Sequence, residues 1–252
     1  LLLLLIPFLR LVPGHNVKLQ LAGFAQGVVQ FGLMFTGLAL SHDVSSVAIA
    51  VQLYVPFTAL LAWWFLGETI GWRRSLGIAL AVAGVIFMGF DPMVLAHIEA
   101  LALVATAALA MAVSSIWIRQ MHGAVHPLNL QAWVALWATP FMGLFTWLFE
   151  PPPWTLLAES DWFDYSLPLY SALGASLVGH GLLTWLLGRH PVSLITPFLL
   201  LTPVLAVAFG VLVWGDELTV QLVGGGLVTL GGLALLTVSP NLWRRWRRHP
   251  TG

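Results

Sequence analysis

Residues Val44 to Gly84 read VSSVAIAVQLYVPFTALLAWWFLGETIGWRRSLGIALAVAG. Two long apolar runs are hinged on the polar turn Gly67-Glu68-Thr69, and the pattern returns 148 positions later. At that offset Thr36 meets Thr184, His42 meets His190, Val44 meets Val192 and Ser45 meets Ser193. Further along, Gly67 meets Gly215, Glu68 meets Asp216, Gly77 meets Gly225 and Gly84 meets Gly232. A proline breaks the first run of each copy, Pro56 in one and Pro203 in the other, with a one-residue slip. A single glycine coincidence carries little weight, but eight matches at one offset mark an internal duplication. Duplicated apolar chains are a habit of membrane transporters.

Composition agrees. The 252 residues are 59% hydrophobic and 8% charged, where a soluble domain carries roughly 25% charged residues; the mean hydropathy is +0.92. Lipid is therefore the main solvent. With no cysteine there is no disulfide framework, thiolate metal site or Cys nucleophile. The net charge of zero offers no basic surface to nucleic acid. The opening LLLLLIPFLR lacks the basic n-region and small-residue cleavage site of a signal peptide, and reads as the tail of a membrane span.

Crossing a hydrocarbon core of ~30 Å takes about 20 apolar residues. On that measure the chain is expected to contain a half-span ending near Val12, then spans Leu19–Leu40, Val44–Leu66, Trp72–Phe90, Ile98–Ile118, Leu128–Phe149, Leu167–Gly188, Val192–Trp214 and Val220–Val238. Each should be helical, because an unpaired backbone amide in lipid costs several kcal/mol. The longest connection, Glu150–Ser166, carries three prolines and, with Trp154, Trp162 and Phe163, reads as an interfacial loop. Assigning alternate sides A and B puts all ten Lys and Arg on side A: Arg10, Lys18, Arg73, Arg74, Arg119, Arg189, Arg244, Arg245, Arg247 and Arg248. Side A is then cytoplasmic by the positive-inside rule. Nine of the ten acids fall on side B, Glu68 being the exception. Both termini of the complete protein are expected in the cytoplasm, with the Trp243–Arg248 run anchoring at the headgroups.

Five spans separate matching helices, so the two copies should be inverted. The expected fold is an all-α membrane protein with an inverted 5+5 transmembrane helix repeat. Ten spans are expected when it is complete and about eight and a half here, with about 40 residues upstream of Leu1. Proline-broken spans ending in a Gly-Glu turn, with a glycine nine residues past the acid and another seven beyond, appear as Pro56…Gly67-Glu68…Gly77…Gly84 and as Pro203…Gly215-Asp216…Gly225…Gly232. This resembles the EamA family of the drug/metabolite transporter superfamily over essentially the whole chain. Phe24-Ala-Gln-Gly, Leu186-Leu-Gly-Arg-His and Pro197–Pro203 look closest to the bacterial amino-acid-metabolite (O-acetylserine/cysteine type) exporters. The resemblance implies a first repeat at 1–90 (spans 2–5), a second at 91–240 (spans 6–10) and a basic cytoplasmic tail at 241–252. It also implies a secondary transporter of the bacterial inner membrane that exports a small-molecule substrate and has no cofactor. Two departures stand out: the family's first span is absent here, and Asp216 replaces the usual Glu.

The spans hold no Lys, Arg, Asp or Glu away from their ends, although an intramembrane charge is the usual mark of an ion site. What remains is neutral polar chemistry. Gln26 and Gln30 are spaced i, i+4; Ser176, His180 and Thr184 form an i, i+4, i+8 stripe; Ser45 and Gln52 lie seven apart, with Tyr54 nearby; Ser193, Thr196 and Thr202 share a later span. The substrate-binding candidates are His180, Gln26, Gln30, Gln52, Thr184 and Ser176. His180, flanked by glycines, either hydrogen-bonds cargo or relays a proton, or else packs as a neutral imidazole against a neighbouring helix. The glutamines could equally bond between helices, and the hydroxyls could return to a carbonyl one turn back. Gly23 and Gly27 read as packing, Trp63, Trp64, Trp72, Trp147, Trp154, Trp162 and Trp214 as interfacial belts, and Trp117 and Trp137 as deeper residues. Glu68 and Asp216 are expected to cap the helix that follows each.

An intramembrane enzyme would need paired carboxylates, a GxSxG serine or an HExxH metal site, and the chain has none. It also lacks a phosphate-binding loop, so energy must come from a gradient, through a proton or through exchange. The competing class is a channel or a non-transporting scaffold in the membrane. The charge split makes the first prediction. A C-terminal alkaline phosphatase fusion of the full-length protein should be inactive and a cytoplasmic reporter at the same place active; the reverse pattern overturns the topology.

Overall fold

A computed structural model of the chain describes residues 2–41, 43–121, 124–149, 161–179, 182 and 201–237. Every element among the described residues is helical. We number the main helices α1 (Asn16–Ser41), α2 (Val44–Leu66), α3 (Trp72–Met88), α4 (Ile98–Gln120), α5 (Pro127–Phe149), α6 (Trp162–Tyr170, continuing as Ser171–Gly179), α7 (Leu201–Trp214) and α8 (Val220–Thr237). Five of them, α1, α2, α4, α5 and α8, are long and apolar enough to cross a membrane. Apolar side chains face outward on the main helices, with Trp64 of α2 77%, Trp72 of α3 75% and Leu212 of α7 81% exposed. Such surfaces are stable only against lipid, and the fold is that of an all-α membrane protein.

Two ends depart most from the expected spans. The N-terminal helical stretch stops at Phe8 rather than near Val12. Arg10 instead lies in extended chain clamped by Asn129, which accepts the Arg10 N–H at 3.1 Å and donates to its carbonyl at 3.0 Å. Helix α6 begins five residues before the expected Leu167, because Asp161 Oδ1 accepts the N–H groups of Phe163 (2.8 Å) and Asp164 (3.1 Å) and so supplies a cap.

The helices gather into two compact units. One comprises residues 1–29 and 117–190, the other 30–116 and 191–252, so each takes segments from before and after residue 91. In the first unit the start of α1 runs alongside α5. A Cβ on Gly23 would lie 3.2 Å from the Trp133 backbone, and one on Gly27 2.5 Å from the Val134 carbonyl oxygen. Leu19, Met121 and Trp133 form its buried centre.

In the second unit α3 and α8, which are repeat mates, lie antiparallel with their backbones touching. A Cβ on Gly77 would meet the Gly232 carbonyl oxygen at 2.7 Å, and one on Gly232 would meet the Gly77 oxygen at 2.6 Å. Gly84 and Gly225 stand in the same reciprocal relation, each Cβ 2.5 Å from the other's oxygen. Because Gly77 matches Gly225 and Gly84 matches Gly232 in the duplication, these contacts exchange under a pseudo-two-fold. The mates Ala81 and Thr229 meet on it, with the Thr229 hydroxyl donating to the Ala81 carbonyl at 3.4 Å. Antiparallel repeat mates are what an inverted duplication requires. Around this pair pack Val47, Ala50, Leu53, Val85, Val104 and Ala108, with Ile49, Met88 and Leu222 beside them.

Small residues let membrane helices approach closely where no hydrophobic drive separates helix from lipid. Gly84→Ala and Gly225→Ala should each destabilise the purified protein by about 1–3 kcal/mol, the usual range for overpacking, read as a lower thermal midpoint in detergent. Gly231→Ala, with nothing within 4 Å of the added carbon, should leave the midpoint unchanged or raise it.

Candidate functional site

Helix α1 departs from α geometry over Ala25–Gln30, which forms a π-helical segment. Such bulges occur frequently at functional sites, and this one carries both glutamines singled out in the sequence. Gln26 Oε1 is buried and accepts no hydrogen bond among the described residues. Gln30 is 5% exposed; its Nε2 reaches only the Met34 sulfur at 4.0 Å, and its Oε1 is likewise unpartnered. Gln26 belongs to the first compact unit and Gln30 to the second.

In the first unit a donor accompanies the Gln26 acceptor. Trp137 on α5 has a buried indole Nε1–H with no partner among the described residues. Its ring is held edge-on against Phe24 of α1 at 5.5 Å, and Phe141 also packs on Phe24. Three residues on, Pro140 lies inside α5 and has no N–H to give the Leu136 carbonyl, so the backbone beside Trp137 offers a further acceptor. Leaving a buried polar atom unsatisfied costs about 1–3 kcal/mol. Groups left so in a native protein therefore require an explanation, and a polar ligand is the one a transporter supplies. Trp137 was legible as a deeper tryptophan, but its idle N–H was not.

The remaining candidates divide. Gln52 is half-buried on a one-turn 3-10 segment, Val51–Leu53, that interrupts α2. Pro56, four residues later, cannot donate to the Gln52 carbonyl, which accounts for the interruption and breaks the i+7 register with Ser45. Ser176 lies on the Ser171–Gly179 segment of α6, and its side chain falls outside the description. His180 and Thr184 lie outside the described residues.

A second polar group assembles at the α2 start, and sequence reasoning missed it. Asp43 caps α2, its Oδ1 accepting the Ser45 N–H at 2.9 Å and its Oδ2 the Ser46 N–H at 3.3 Å. The same Ser45 N–H also points to Asp216 Oδ2 at 2.8 Å, and the Ser45 hydroxyl donates to that oxygen at 2.6 Å. Asp216 thus caps a helix 171 residues away rather than the helix that follows it. Helix α8 is capped instead by Thr219, whose Oγ1 accepts the Leu222 N–H at 3.1 Å while its hydroxyl donates to the buried Asp91 carboxylate. The duplicated turns have a backbone purpose: Gly67 (φ 67°) and Gly215 (φ 75°) end α2 and α7 in the left-handed conformation. Behind them the N–H groups of Glu68 and Asp216 close on the carbonyls of Ala62 (3.3 Å) and Gly210 (3.2 Å). The signal available in the sequence was Asp-Val-Ser-Ser at 43–46, an acid one step ahead of an apolar run.

Inverted apolar helices joined by glycine contacts in one unit, together with buried neutral polar groups that have no partner among the described residues, mark a multi-pass membrane protein. The profile of the EamA-like transporter family matches residues 1–90 and 98–238, and the chain belongs to that family. It is similar to a "Probable amino-acid metabolite efflux pump" of Escherichia coli K12, 27% identical over 251 residues, 95% of this chain and 79% of that protein. The protein of the same description in Salmonella typhimurium LT2 is 27% identical over 81% of this chain and 71% of its own length. An uncharacterized transporter of Bacillus subtilis is 22% identical over 84% and 70%. One solved structure, titled only as the crystal structure of a protein, aligns with a TM-score of 0.52 at 20% identity over 97% of this chain and 93% of its own, a likeness of fold alone.

If the Trp137 N–H serves a ligand, Trp137→Phe removes a desolvated donor and keeps the ring packing. The thermal midpoint should stay level or rise, while the concentration of cargo needed for half-maximal transport should increase about tenfold, the effect of one lost hydrogen bond. A fall in stability with unchanged transport would make the indole N–H structural.

Proposed function

We propose that this protein exports a small, overall neutral metabolite, a zwitterionic amino acid or a close derivative, by alternating access across the bacterial inner membrane. The observation that carries this reading is that one unit holds both a buried Gln26 oxygen and a buried Trp137 N–H without a partner among the described residues. Around them the spans bear no Lys, Arg, Asp or Glu away from their ends. An amide oxygen suits an ammonium and an indole N–H suits a carboxylate. A phosphorylated cargo would instead want Lys or Arg, since a desolvated dianion needs charged donors, and a lipophilic cation would want a buried carboxylate. The printed description of the E. coli and Salmonella relatives supports both amino-acid chemistry and outward direction. In this reading 1–90 and 91–240 are the two repeats, acting as gates around a central cavity, and 241–252 is a cytoplasmic tail.

Counterflow in proteoliposomes containing the full-length protein tests the proposal. Preloaded neutral amino acid should accelerate uptake of the labelled form, because a carrier exchanges across its gates and a channel does not. Exchange of sugar phosphates with none of the neutral amino acids would sink it. His180 gives a finer test: no carboxylate lies near it in sequence to hold an imidazolium, and an apolar run around it disfavours the charged ring. His180→Gln should therefore retain more transport than His180→Leu, whereas equal loss in well-expressed variants would mean that the imidazole titrates.

A further inference from the structure

The cargo contacts proposed above do not use the Asp43–Ser45–Asp216 group, yet it is built with some care. Two carboxylates from opposite ends of the second unit's chain converge on one backbone N–H. Asp216 Oδ2 is pressed so closely between α2 and α7 that a side chain at Gly210 would collide both with it and with the Ser45 hydroxyl oxygen. The Gly215 turn fixes its backbone, holding the Asp216 N–H on the Gly210 carbonyl at 3.2 Å. Among the described residues no Lys or Arg stands at this end of the helices. The titratable groups on the elements packed around it are Asp91 beyond α3, which accepts the Thr219 hydroxyl, Glu217 next to Asp216, and His97 with Glu99, 3.9 Å apart, at the head of α4. His42 adjoins Asp43 but lies outside the described residues. Lys18, Arg73, Arg74 and Arg119 sit at the far ends of α1, α3 and α4.

Like charges sharing a site cannot both ionise cheaply. We propose that the Asp43 carboxyl takes up a proton where it meets Asp216, and that this proton fastens the start of α2 to the end of α7. Consistent with that geometry, the Asp43 carboxyl is raised above its ordinary value of 3.8, first by burial and then by its hydrogen bond and charge interaction with Asp216, against the lowering effect of Ser46. Because the raised value belongs to the joined arrangement, joining takes up a proton: the link holds at acid pH and weakens as pH rises through the raised value. The proton has a way in, since Asp43 lines a cavity of about 270 Å³ together with Ser41, Ser46, Val47 and His97. The fastened helices are repeat mates at the end away from the described basic residues. In the topology read from charge that end is the outer one, so external acid closes the outer face.

The chain contains no cysteine, so a single introduced thiol reports on the joint. Val207 packs on Ile49, Met88 and Leu222 just inside it; Leu218, 56% exposed, is the control. Full-length protein carrying Val207→Cys or Leu218→Cys is treated with an impermeant maleimide, added to whichever membrane face labels Leu218→Cys, from about pH 5 to about pH 8.5. Dividing the two rates removes the dependence on thiolate fraction. No cargo is present, so the result is independent of the amino-acid reading. Relative labelling at Val207→Cys should rise severalfold with pH. In the Asp43→Asn and Asp216→Asn backgrounds, where a neutral amide removes the like-charge contact, it should stay low throughout. A flat profile in the parent, or a rise that persists unchanged in either folded Asn variant, overturns the proposal.

Discussion

The contact on which the second unit depends is backbone against backbone, where α3 crosses α8. In water, helices are pressed together by the expulsion of apolar surface, but in lipid that drive is absent and only close packing and polar contacts remain. Gly77, Gly84, Gly225 and Gly232 let two helices approach until carbonyl oxygens occupy the space of missing side chains. Four glycines weaken helix propensity, at about 1 kcal/mol each, but lipid compensates by making any unbonded backbone far costlier. The arrangement is self-complementary because the helices are copies of one ancestor, so a single glycine spacing solves both sides of the interface.

The same economy explains the turns. Each copy ends its proline-broken helix on a left-handed glycine followed by an acid, and the backbone bonds behind Gly67 and Gly215 are equivalent. The backbone part of the motif is therefore conformational, needing only glycine at positive φ. The carboxylate is free to serve elsewhere, and in the second copy it reaches back to the start of α2, where unpaired amides and the positive end of the helix dipole receive it. Asp216 has one methylene fewer than the Glu of the first copy, which suits the short distance left by Gly210.

Polar groups in the described spans fall into two kinds. Most hydroxyls, such as Thr36, Thr58, Thr106 and Thr139, return to the carbonyl four residues back and are spent within their own helices. Gln26, Gln30 and Trp137 are not. Their positions coincide with backbone irregularities, the π segment of α1 and the proline of α5. Irregular backbone at membrane depth is tolerated where it is buried in protein or lines a cavity, so each unpaired side chain stands where its own helix is loosened.

The sequence alone determined the helical membrane class, the duplication and its inversion, because hydropathy, charge segregation and the 148-residue offset are properties of order along the chain. It also picked out Gln26 and Gln30, since neutral polar residues are rare in apolar runs. It could not tell which acid serves which helix. Asp216 was expected to cap its neighbour, yet the helix it caps begins at Val44, far away in sequence, and Thr219 takes the local role. Nor could periodicity show that Trp137 lacks a partner, that Pro56 turns Gln52 off the Ser45 register, or that Arg10 is held by Asn129. Each depends on which atoms other helices bring near, and helical period fixes the face a residue occupies but not the surface that face meets. That choice belongs to the tertiary structure, where the small volume of Gly210 decides whether two carboxylates can share one amide.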